Sequence, residues 1–162
     1  MFALAVDGLD ETGARFDALP TALGAALAAK AAQLSAALAD LVRNDKLAGA
    51  VLNARSGALR DSIGADVSAD GDGVLASVGS NGDVKYAAIQ EYGGKTAAHE
   101  ILPVKARALA FVDGGATRFA RRVEHPGSAI PERSYLRATL EEQGDAIVAA
   151  LAATPEETWG QT

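Results

Sequence analysis

An α+β fold is predicted for this chain: a long N-terminal helix and a C-terminal helix packed on a mostly antiparallel sheet of about four strands. Three observations carry that prediction. Leucines at 19, 23, 27, 34, 38 and 41 recur at spacings of three, four and seven, as one face of a helix requires. Over 65–80 and again over 108–124 the apolar period shortens to two around Gly-containing turns, which marks two hairpins. A second helical stripe, Leu136, Leu140, Ile147 and Leu151, follows near the C-terminus.

Taken in order, "FALAVD" (2–7) alternates like a short strand and runs into a turn containing Gly and Asp. The leucine stripe predicts a helix from Asp17 or Pro20 to about Arg43, interrupted by "NDK" at 44–46. Its opposite face is alanine and small polar residues, so a neighbour can approach it closely. "LAGAVLNARSGALRDSI" (47–63) gives one or two short helical turns pivoting on Gly57, with Leu47, Val51, Leu52, Leu59 and Ile63 offered to the core. "ADVSAD" (65–70) and "VLASVGS" (74–80) flank the turn "GDG" (71–73), and "NGD" (81–83) ends the second strand.

Tyr86, Ile89 and Tyr92 space a two-turn helix that Gly93 stops in a left-handed conformation. "KTAAHEILPVKA" (95–106) reads as irregular and exposed, whereas "ALAFVDG" (108–114) and "TRFARRVE" (117–124) read as a second hairpin. Pro126, Gly127 and Pro131 then restrain the loop leading to Ser134, the predicted N-cap of the last helix. Such restraints aim a helix: Tyr135 and Leu136 anchor its first turn, and Arg133 and Arg137 stay on the rim for ion pairs. Beyond Pro155 the periodicity stops, which predicts a single domain over 1–153 and a flexible tail over 154–162. The lone Trp159 in that tail either folds back onto the domain or anchors in a pocket of another chain.

Composition narrows the function. At 162 residues the chain suits one domain, and its 49% apolar content is mostly alanine with only 5% aromatics. Without cysteine there is no thiol chemistry, disulfide or Cys-ligated metal. No basic region precedes the apolar start, so no secretory signal is read there. Ala22 to Leu41 is broken by Gly24, Lys30, Gln33 and Asp40, so no membrane partner is expected and the protein is read as made in a cytoplasm. A net charge of −6 disfavours general phosphate binding. The cluster Arg118, Arg121 and Arg122 therefore reads as ion-pair donors, with a DNA-binding accessory role as the alternative.

His99 and His125 are the only histidines, and a metal site would need both, or one with Glu100 or Glu124; neither fits the HExxH spacing. There is no GxSxG elbow, and Ser56, Ser62 and Ser128 have no evident base. Glycines 71, 73, 79 and 82 sit among aspartates, the wrong sign for cradling phosphate. No catalytic residue, cofactor or metal is assigned. The alternative from another class is a small metal-dependent hydrolase using His99 and His125.

Four stretches in order, "ARSGALRDSI" (54–63), "VKYAAIQEYGG" (84–94), "ILPVKARALAF" (101–111) and "HPGSAIPERSYLRATL" (125–140), resemble the tail-completion or neck proteins of long-tailed bacteriophages, also called minor tail or virion-morphogenesis proteins. The matching positions are Ser56, Gly57, Leu59, Ser62 and Ile63; Tyr86, Ala87, Glu91, Tyr92 and Gly93; Pro103; and Pro126, Gly127, Pro131, Tyr135 and Leu136. Glu132-Arg133-Ser134-Tyr135 stands where that family more often has Ala-Arg-Pro-Phe, and the C-terminal tail lies outside the pattern. The resemblance implies a non-enzymatic homo-oligomeric ring, a hexamer, in the virion neck. Its partners would be further copies of itself, a connector or head-closure protein, a tail terminator or tail tube protein, and passing DNA held without sequence-specific binding. A tail terminator or head-closure role in the same particle is the alternative. Subunit or partner contacts are expected at Tyr92, Gly93, Gly94, His99, His125, Pro126, Arg133, Arg137 and Trp159.

Overall fold

A computed structural model of the chain describes residues 9–53, 55–70 and 73–160. The element order is α1 (Leu9–Leu41), a wide-turned π segment (Val42–Ala50), α2 (Ala58–Ser62), β1 (Ile63–Asp70), β2 (Gly73–Ser80), α3 (Ala87–Tyr92), β3 (Gly94–Lys95), β4 (His99–Ile101), β5 (Leu109–Asp113), β6 (Ala116–Ala120), β7 (Val123–His125), β8 (Ala129–Ile130) and α4 (Arg137–Trp159). The fold is α+β, as predicted. The sheet differs: the described strands form four separate antiparallel pairs, β1 with β2, β3 with β8, β4 with β7 and β5 with β6. The strand expected at 2–7 lies outside the described residues, as does the tip of the first hairpin at 71–72. The chain comprises two compact units: Met1–Ala87 with Ser134–Thr162, and Ala88–Arg133.

In the first unit, α1 packs along β1, β2 and α4. It starts well before the expected Asp17 or Pro20, and Pro20 sits inside it. Proline removes one helical donor and leaves the Phe16 carbonyl unserved. Both residues are exposed, so water can serve that carbonyl and the helix continues. Nor does "NDK" break the path, which runs through it and turns only at Gly49, φ 138°. Lys46 is held there by Glu142 of α4 at 2.7 Å, with Asp45 at 3.8 Å. The Glu142 hydrogen bond, helped by both carboxylate charges, raises the Lys46 ammonium above its usual range. A raised folded-state value means this stabilisation is present at neutral pH and is lost as pH rises through that value.

By length and composition Gly13–Ala50 is long and apolar enough to cross a membrane, a test the sequence reading had failed it on. In the fold one of its faces is occupied: Ser35, Ala39 and Val42 are buried. The leucine stripe that defined the helix is only half-buried. Close packing falls instead to the small residues beside it.

The partner helix behaves alike. On α4 the fully buried positions are Thr139, Thr154 and Thr158, while Leu140 of the predicted stripe is 51% exposed. Each threonine returns its hydroxyl proton to the carbonyl four residues back, Thr139 to Tyr135 at 2.6 Å, Thr154 to Ala150 at 3.1 Å and Thr158 to Thr154 at 2.8 Å. With the hydroxyl satisfied inside its own helix, the methyl can face the seam. Helix α4 also does not stop at Pro155 but runs to Trp159, whose ring lies 5.4 Å from Phe16 of α1. Of the two readings of Trp159, folding back onto its own chain is the one observed.

The core gathers Ala39, Val42, Leu47, Leu59, Ile63, Ala87 and Tyr135, flanked by Val51, Leu52, Val78, Val84 and Leu136. Polar bonds pin its edges. Arg43 donates Nε–H and Nη2–H to the Ile63 carbonyl at 3.0 and 2.6 Å, tying the end of α1 to the start of β1. The Ser62 hydroxyl meets the Leu59 carbonyl at 2.8 Å and the Ser80 hydroxyl at 2.9 Å, closing the β1–β2 hairpin at its root. Gly57, φ 79°, caps α2 as the predicted pivot. Tyr135 is 1% exposed and donates its hydroxyl to the Ala87 carbonyl at 3.3 Å. The N-cap of α4 is Leu136, which makes no side-chain cap bond, and not the expected Ser134; Ser134, three residues before the first residue of α4, still accepts the Ala138 N–H at 3.2 Å.

Two substitutions separate the parts Tyr135 plays. Tyr135→Phe, which removes only the hydroxyl, is expected to lower unfolding free energy by about 1 kcal/mol. Tyr135→Ala, which also opens a cavity, should lower it by roughly 3–5 kcal/mol. Chemical denaturation of both variants checks the ordering.

Candidate functional site

The nine positions singled out for contact mostly fall in, or next to, the second unit, Ala88–Arg133, which is built on a β-ribbon. Its base is α3. Tyr86 and Tyr92 of the Tyr86, Ile89, Tyr92 spacing do not face inward, being 45% and 62% exposed; besides Ala87 of the core, the buried residue of this helix is Glu91 at 2%. Gly93 follows at φ 68°, as predicted. A Cβ there would meet the Glu132 nitrogen at 2.7 Å and the Ile130 carbonyl oxygen at 3.0 Å. The returning backbone is therefore pressed against Gly93, and no other residue fits without displacing it. Arg133 N–H donates to the Gln90 carbonyl at 2.9 Å and completes this junction.

From there the chain does what the sequence reading missed. "KTAAHEILPVKA" is exposed, and irregular over 96–98 and 102–106, but Lys95 and His99–Ile101 are strand: β3 pairs with β8 and β4 with β7. Gly94 lies opposite Ile130, Lys95 opposite Ala129, His99 opposite His125, Glu100 opposite Glu124 and Ile101 opposite Val123, and the two numbers total 224 in every pair. The two short pairs are thus one ribbon in one register, opened between 96–98 and 126–128. Local bonds hold the opening: Thr96 N–H donates to the Ser128 carbonyl at 2.9 Å, and Ser128 N–H to Thr96 Oγ1 at 2.8 Å. Gly127, φ 86°, is needed because a Cβ would run into the Thr96 carbonyl. The signal that could have revealed the ribbon is the polar Thr96/Ser128 pair flanking alternating residues; alanines at 97 and 98 masked it.

The two histidines come together. Their rings stack with centroids 5.0 Å apart and 22° between planes. Gly127 N–H donates to His125 Nδ1 at 3.0 Å, which makes that nitrogen an acceptor and puts the neutral ring's proton on Nε2. His99 Nδ1 lies 3.1 Å from the Ala97 carbonyl and so carries its proton, leaving a lone pair on Nε2. One imidazole thus offers an acceptor outward and the other a donor. A metal would need both lone pairs on one side, and the alternation of strand faces sends Glu100 and Glu124 to the other. Among the described residues no group of three or more His, Asp or Glu could hold a metal ion. The pair works as a cross-strand contact rather than a chelate.

The arginine cluster is partly neutralised as expected: Arg118 meets Asp113 at 3.0 Å and Arg122 meets Glu100 at 3.4 Å, all four side chains being largely exposed. Beyond the histidines the ribbon carries the β5–β6 hairpin, turned at Gly114 and Gly115 with φ 58° and 84°. Val112 and Phe119, diagonal neighbours on one face of it, are each 73% exposed, and Val104 is 94% exposed. The first-unit positions sit apart in role: Arg137 is exposed at the start of α4, and Trp159 is taken up by Phe16. Ser56, Ser62 and Ser128 all serve in turns and joints.

Two measurements test this assignment. Gly93→Ala adds an overlap with backbone to left-handed strain of roughly 1–3 kcal/mol, so it should destabilise more than Gly82→Ala, whose φ of 89° faces open space. Zinc added to the chain is expected to leave the melting temperature unchanged, and unchanged equally in His99→Ala/His125→Ala. A stoichiometric zinc-dependent rise that the double variant lacks would revive the hydrolase alternative.

Set beside known proteins, the chain matches no family model, no curated protein and no solved structure.

Proposed function

We propose that this chain is a structural, non-enzymatic subunit of the head-to-tail junction of a long-tailed bacteriophage or related particle, acting in tail completion as a homo-oligomeric ring around the DNA channel. The observation that carries the reading is where the resembling residues fall. Leu59, Ser62, Ile63 and Tyr135 are buried joints of the first unit, and Glu91, Gly93 and Gly127 are buried or sterically fixed joints of the ribbon. Residues retained for chemistry would be expected to converge on a substrate; these instead set angles and close turns. A ring subunit needs rigid interface loops, since heterologous contacts close only when the rotation between copies is right. The net charge of −6 suits a wall past which DNA moves without adhering. On this reading the partners are further copies, a connector or head-closure protein and a tail terminator or tail tube protein, within the virion neck.

Imaging of particles made without this chain tests the proposal. Filled heads and finished tails that remain unjoined, and that join when purified protein is added, are the expected outcome; normally joined, infectious particles would sink it. The His99→Ala/His125→Ala chain should restore joining as well as the unaltered one.

A further inference from the structure

Charge is unevenly divided between the two units. In 88–133 Lys and Arg outnumber Asp and Glu by seven to five, net +2, whereas the remainder has eight against sixteen, net −8, which together make the −6 of the chain. The imbalance sharpens at the far end of the ribbon: over 102–122, Lys105, Arg107, Arg118, Arg121 and Arg122 face a single acid, Asp113. The same stretch exposes Val112 and Phe119 on one hairpin face, with Leu102 at 56%. Two-stranded ribbons are marginal in water unless something covers a face. The occupant should be apolar and acidic.

Helix α4 presents such a surface. Glu141, Asp145 and Val148 recur at i, i+4 and i+7 on one exposed side of the helix, Val148 at 67%, and Leu140, 51% exposed, lies at the edge of that face. We infer that the hairpin end of the ribbon, through Phe119, Val112, Arg107 and Arg121, docks on the α4 face Leu140, Glu141, Asp145 and Val148 of a second copy of this chain. The inference rests on the ring reading in one respect, that the partner is another copy, and adds which two surfaces meet. Such a contact is heterologous, leaving the α4 face of one copy and the ribbon of the other still open, so it propagates and can close. Nucleic acid is the less favoured occupant: Arg118 and Arg122 are already paired with carboxylates, and the exposed apolar face has no use for phosphate.

Sedimentation of the full chain across a concentration series, with charge reversals, tests it. The unaltered chain should self-associate, less so as salt rises. Arg107→Glu/Arg121→Glu and Glu141→Lys/Asp145→Lys should each weaken association by roughly ten- to hundredfold. Mixed one to one, the two variants should associate again, because each acidic ribbon finds a basic helix face and each basic ribbon an acidic one. That recovery also shows both are folded. A monomeric unaltered chain, either variant associating normally, or a mixture that stays dissociated overturns the inference, as does loss of duplex DNA binding in the ribbon variant with self-association intact. If particles lacking the chain fail to join while both variants assemble normally, only this contact is refuted; if the variants behave as expected and such particles join, only the neck assignment is.

Discussion

The Tyr135 side chain is the point on which the rest turns. The chain leaves its first unit at Ala87 and returns at Ser134, and the Tyr135 hydroxyl bonds the Ala87 carbonyl across that gap of 48 residues. Ring and hydroxyl do different work. The ring fills the core beside Val42 and Ile63, while the bond brings exit and re-entry together. A second closure, Arg133 N–H to the Gln90 carbonyl, lies within the ribbon unit itself. Forty-odd residues can therefore be inserted without opening the core, because closing a loop already held at both ends adds little entropy cost.

Within the first unit, packing depends on small side chains more than on leucine. Ser35 and Ala39 of α1 and the three threonines of α4 are buried, and Lys30–Glu157 and Lys46–Glu142 link the two helices outside the seam. Exposed ion pairs of this kind add little stability, so they serve mainly to set register. The leucines left half-buried, and Leu140 and Val148 on the outer side of α4, give the unit more apolar surface than it covers by itself.

That asymmetry explains what could be read from the amino acids alone. The α+β class, the long first helix, both hairpins and the left-handed Gly93 were legible because each has a local cause: a period or a turn glycine. What escaped is non-local. Buried threonine looks polar until its own helix supplies the acceptor; Pro20 and Pro155 look like stops, yet both helices run through them; and the pairing of 94–101 with 123–130 spans an intervening hairpin that hides its register. The candidate site followed the same division. His99 and His125 could be named as the only imidazoles, but their stacking, and the tautomers that spoil them as a chelate, belong to the ribbon.

On the proposed reading the joints of this chain hold shape and its ribbon end makes contacts. Amide hydrogen exchange on the dilute chain and on its assembled form tests this most directly. The account predicts that amides around Val42, Ile63 and Thr139 are equally slow in both, while those of 109–120 exchange fast when dilute and slow on assembly. Protection of 109–120 that stays the same on assembly would contradict it.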